Sequence, residues 1–191
     1  MSHFFSRFMS DIALLCRKNR QKYLIFFVFL ITIFLIALFS VATTELSSKE
    51  KSSLFFSFLN GKLTAIKYFF CMFAINLAII AIVLMLGYSD FTVIIYYPLI
   101  FIYSLTNFKG YFIAIKFCFL SAIIASLIGI IFFLLSVFLI HTLYLSMVLN
   151  HNRWCQEKIC ISGIAELSFP FIVLQSLLLF LEALLFMLLM S

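Results

Sequence analysis

Few side chains in this 191-residue sequence could do chemistry, because 66% of it is apolar and only 10% is charged. Those standing where an apolar chain should have none are Glu182, His141, Lys116, Asn76 and Gln175. Glu182 is the most telling. An acidic residue at mid-membrane costs about 2.5–3.5 kcal/mol on insertion scales, so it must be protonated, paired or turned into a protein interior. Lys116, His141, Asn76 and Gln175 are its candidate partners. Gln175 and Glu182 are seven residues apart and share one helix face. The expectation is that Glu182 pairs with Lys116 or His141 across a helix interface. Asn76 sits in mid-span, where an amide commonly bonds between helices. Lys116 is long enough to snorkel toward a membrane surface.

Other constellations lead nowhere. His151, Cys155 and Cys160 have the spacing His-x3-Cys-x4-Cys, which lacks a fourth ligand and matches no closed tetrahedral site. The five cysteines are odd in number and lie mostly in apolar stretches, which indicates no disulfide framework. The sequence has no Gly-rich phosphate loop, no HExxH and no serine nucleophile elbow. No enzyme, metal site or cofactor is expected.

The elements that must position these residues follow from composition. A mean hydropathy of +1.25 excludes a water-soluble fold and intrinsic disorder. The formal charge of +6 is scattered over apolar flanks and forms no strip for nucleic acid. The 27 phenylalanines exceed what lipid solubility demands and match the codon bias of an AT-rich genome. The fold class is all-α, a polytopic transmembrane helical bundle in one membrane domain.

Residues 1–22 read as an interfacial helix, with Phe4, Phe5, Phe8, Ile12 and Leu15 opposite Ser6, Arg7, Ser10, Asp11 and Arg17. Span one occupies 23–43. Its uncharged core Tyr23–Val41 is about 28 Å long as a helix. The basic run before it, Arg17 to Lys22, places the N-terminus in the cytoplasm. Residues 44–67 form an outer loop, with Ser47-Ser48-Lys49-Glu50 similar to a capping box. Span two covers about 68–87 and ends at Gly87. Asp90 marks a tight turn, and span three follows at about 91–107 with a kink at Pro98.

Residues 111–149 would measure about 58 Å as one helix, twice the membrane core. They are expected to bend or break at Gly129. Ser121, Ala125 and Gly129, flanked by Ala122 and Ser126, make a small-residue packing face. If the stretch crosses twice, there are six spans. If it forms a re-entrant segment plus one crossing, there are five, and Arg153 and Lys158 in the loop 150–166 return inside. Seven of the 13 basic residues then lie inside, so charge favours five. The last span covers 167–190, with Pro170 in its first turn.

The run from Asn76 to Leu86-Gly87, then Pro98, then Phe108-Lys109-Gly110-Tyr111-Phe112, and the ending Phe180-Leu181-Glu182-Ala183 resemble the stage II sporulation protein M family. In that family Lys-Gly forms a turn between spans. This chain departs from it in lacking prolines within 111–149 and in having Ala114 where a second glycine is usual. The resemblance implies a bacterial cytoplasmic (inner) membrane protein without an active site. It would be a scaffold for a peptidoglycan-remodelling complex, with cell-wall hydrolases docking on loop 44–67. The alternative is the membrane (permease) subunit of an ABC-type exporter, which would need a P-loop ATPase partner. A small immunity or stress protein of the membrane is a third class.

Overall fold

The computed structural model describes residues 10, 12–43, 55, 57, 64–86, 92–117, 120–157 and 161–190, and these are helical apart from Asn19 and Thr64. Five long helices follow in order: α1 Arg20–Thr43, α2 Ala65–Leu86, α3 Thr92–Phe117, α4 Leu120–Glu157 and α5 Ile161–Met190. Each contains an apolar stretch long enough to cross a membrane. The chain is a multi-pass membrane protein.

These helices are apolar around most of their circumference, which in water would be ruinous and in lipid is required. In α1 a stripe of Tyr23, Phe26, Leu30, Ile33, Ala37 and Val41 is buried. The other faces, with Leu24, Ile25, Phe27 and Ile31, remain exposed. Helix α1 packs on α3, α2 on α5, and α4 lies against α2, α3 and α5. Residues 139–147 of α4 are buried without interruption. Pairings such as Tyr23 with Thr142 and Lys116 with Val41 show α1 running parallel to α3, with α4 antiparallel to both.

Five spans are reached by a different division of the chain from the one expected. Helix α3 does not stop at 107 but continues through Lys109 and Gly110 to Phe117, so no turn lies at Lys109–Gly110. Gly110 is buried and Lys109 half-buried. With residues 111–117 assigned to α3, the remaining apolar run is Ala122–Val148. At about 40 Å it crosses once with tilt, and α4 extends beyond it to Glu157. No re-entrant segment is needed, and the helix does not break at Gly129. Pro98 lies inside α3 on an exposed face, leaving the Ile94 carbonyl without its helical donor. Pro170 is not in a first turn either, since α5 begins at Ile161.

Of the proposed interfacial helix, residues 12–18 are helical, and Ile12, Leu15 and Cys16 pack against the core. Backbone bonds from Asn19 N to Leu15 O and from Tyr23 N to Asn19 O carry the ladder into α1. Phe4, Phe5 and Phe8, the capping box 47–50, Gly87, Asp90 and Cys160 lie outside the described residues, as do the side chains of Ser121, His151 and Cys155.

Candidate functional site

Tyrosines organise the interior. On α3, Tyr96, Tyr103 and Tyr111 follow at intervals of seven and eight residues, two helical turns, so they project from one face about 11 Å apart. All three are buried, and each meets one of the sequence-predicted polar residues.

At the first level, Glu182 is 2% exposed. Its Oε1 accepts hydrogen bonds from Tyr68 Oη at 3.3 Å and Tyr111 Oη at 3.2 Å. Both distances are long for hydroxyl donors, so two moderate bonds hold the carboxyl, one from α2 and one from α3. Gly129 explains how Tyr111 gets there. A β-carbon at Gly129 would stand 2.5 Å from Tyr111 Cε1, so the missing side chain lets the ring lie on the α4 backbone. Phe55, from the segment between α1 and α2, covers this level. Its ring centroid is 4.6 Å from Tyr111, 5.2 Å from Phe186 and 6.3 Å from Tyr68.

The second level lies two turns deeper. Asn76 Oδ1 accepts a hydrogen bond from Tyr103 Oη, and Gln175 Nε2 donates to Ser136 Oγ. Tyr103 stands beside Ser136 as well, so α2, α3, α4 and α5 meet in one polar layer. Asn76 Nδ2, Gln175 Oε1 and the nearby Ser104 Oγ find no partner among the described residues. Each amide therefore uses one end for the helix contact.

At the third level, His141 is fully buried. Its Nδ1 lies 3.0 Å from Tyr96 Oη, and its ring stacks on Phe26 at 3.6 Å with planes 1° apart. Tyr144 stacks on Tyr96 at 3.7 Å. Next to them Tyr23 Oη donates to Thr142 Oγ1 at 3.1 Å, tying α1 to α4.

Glu182 is thus buried against protein as expected, but its partners are phenols, not Lys116 or His141. Lys116 Nζ donates instead to the carbonyls of Val41 at 2.8 Å and Ala42 at 3.3 Å. These belong to the last turn of α1, whose carbonyls lack helical donors. His141 lies two levels away, on Tyr96. Gln175 shares the buried face of α5 with Glu182 but bonds α4. The small-residue face is inward: Ala122, Ala125 and Ser126 are buried, with Gly129. No group of three or more histidine, cysteine or acidic residues able to hold a metal occurs among the described residues.

Sequence reasoning missed the tyrosines and Phe55. The seven- and eight-residue rhythm on α3, set against the Gln175–Glu182 interval, was the signal available for the former.

No family model, curated protein or solved structure matches the chain.

Proposed function

We propose that the chain is a non-enzymatic scaffold of the bacterial cytoplasmic membrane that organises a peptidoglycan-remodelling complex, as members of the stage II sporulation protein M family do. The observation that carries this reading is the position of Glu182. The costliest side chain in the bundle is a joint between α2, α3 and α5, closed over by Phe55. A relay or reaction centre would need its carboxyl open to a substrate or a water path. Asn76 and Glu182, two residues on which the family resemblance rests, both serve helix–helix bonds.

The N-terminus lies in the cytoplasm, in keeping with the basic run Arg17 to Lys22 ahead of α1. With five crossings, Arg153 and Lys158 share that side. Segment 44–64 then faces outward, where extracytoplasmic hydrolases dock. The test is purification of the full chain from its native membrane in mild detergent, with copurifying proteins identified by mass spectrometry. Enrichment of a cell-wall hydrolase is expected. A stoichiometric P-loop ATPase would instead make the chain an exporter's permease subunit.

A further inference from the structure

Helices α2 and α5 leave a groove on the outside of the bundle. Ile66, Phe69 and Phe70 form one wall, and Phe180, Ala183 and Met187 line the other. Its volume is about 280 Å³, and it is apolar throughout. The groove exists because Ala183 ends in a methyl group where Phe180 and Met187, about one turn to either side, are large. Phe69 meets Phe180 edge-on, with centroids 6.2 Å apart. Ile66, Phe70, Phe180 and Met187 are all exposed, and they lie in stretches apolar enough to cross a membrane, so the groove opens to hydrocarbon. An apolar recess of this kind does not hold water. The α5 wall from Phe180 to Met187 is about 10 Å long, roughly two thirds of one leaflet's half of the ~30 Å core.

A charge next to the groove's lining points to the kind of lipid. Lys67 is exposed in the first turn of α2, one residue inside the apolar stretch Ile66–Leu86. It follows the groove residue Ile66 directly in the chain, and from that first turn a lysine side chain is long enough to snorkel to the headgroup plane. We propose that this groove holds one acyl chain of an anionic phospholipid whose phosphate is met by Lys67.

The test is native mass spectrometry of the delipidated full chain in mild detergent, titrated with dioleoyl phosphatidylglycerol or dioleoyl phosphatidylcholine. Wild type is expected to retain one phosphatidylglycerol with a preference of about fivefold, the factor one lysine near an anionic surface supplies. Lys67→Glu, a surface change, is expected to abolish the preference while phosphatidylcholine still binds. Ala183→Phe fills the groove and is expected to lower retention of both lipids. If that variant loses monodispersity, the Lys67→Glu comparison decides alone. Equal retention of the two lipids by wild type overturns the proposal, as does an unchanged preference in Lys67→Glu. Undiminished retention by a monodisperse Ala183→Phe protein overturns it too, and so does a polypeptide crosslinked in the groove from Phe180.

Discussion

Replacing Gly129 by alanine tests how closely α3 is seated on α4. The added β-carbon would stand 2.5 Å from Tyr111 Cε1, 3.1 Å from Tyr111 Cζ and 3.0 Å from Phe186 Cζ. The tyrosine ring has little freedom to retreat, because its hydroxyl is bonded to Glu182 and the Phe55 ring abuts it at 4.6 Å. Forcing a methyl group into a packed core costs about 1–3 kcal/mol. Displacing the ring also weakens a hydrogen bond to the carboxyl, a loss of about 1–2 kcal/mol. Helix propensity opposes both, favouring alanine over glycine by about 1 kcal/mol. The balance is a destabilisation of about 2 kcal/mol. For a chain of this size that lowers the unfolding temperature by about 4–8 °C. Thermal unfolding in mild detergent, followed by circular dichroism and by the surviving monodisperse fraction, measures it. The same substitution in a Tyr111→Leu background should cost less, since the ring is gone. Gly129→Ala unfolding at or above the wild-type temperature would refute the seating of Tyr111 on α4.

Two further perturbations address other parts of the bundle. His141→Phe should leave the buried Tyr96 hydroxyl without its partner, at about 1–3 kcal/mol. Adding Tyr96→Phe should recover part of that loss, and strictly additive unfolding temperatures in the double variant would deny the bond. With the N-terminus cytoplasmic as proposed, Cys155 and Cys160 should in intact cells resist a membrane-impermeant thiol reagent and react after permeabilisation, because the four crossings α1–α4 return that segment to the side of the N-terminus. Labelling from outside would reverse the assignment.

The span count was legible because lipid demands long apolar stretches, and five occur among the described residues. Helix boundaries were less so. The turn at Lys109 and Gly110 was what the resemblance to the stage II sporulation protein M family implied. Within lipid, a helix keeps its backbone bonds at almost any composition, and α3 continues through both residues. Gly129 was read as a breakpoint from length and as part of a packing face from its small neighbours; only the packing role is seen, and the ring that uses it comes from another helix and leaves no local signature. Asn76, Gln175 and Glu182 announced themselves as buried polar groups because polarity is the exception here. Their partners did not. Tyrosine is apolar enough to pass for lipid-facing surface, and on helices apolar all round no pattern marks the inward side. The placement of Lys116 on the end of α1, far along the chain from Val41, is a tertiary fact with no local signature.

The central claim is that the buried polar groups fasten helices to one another, Glu182 foremost. Its most direct test compares the unfolding temperatures of Glu182→Gln and Glu182→Leu in mild detergent. Glutamine keeps an oxygen that can accept from Tyr68 and Tyr111, whereas leucine removes the acceptor that both buried hydroxyls share, at about 1–3 kcal/mol. The account predicts that Glu182→Gln unfolds close to wild type and Glu182→Leu several degrees lower. Equal losses in both variants, or a wild-type temperature for Glu182→Leu, would contradict it.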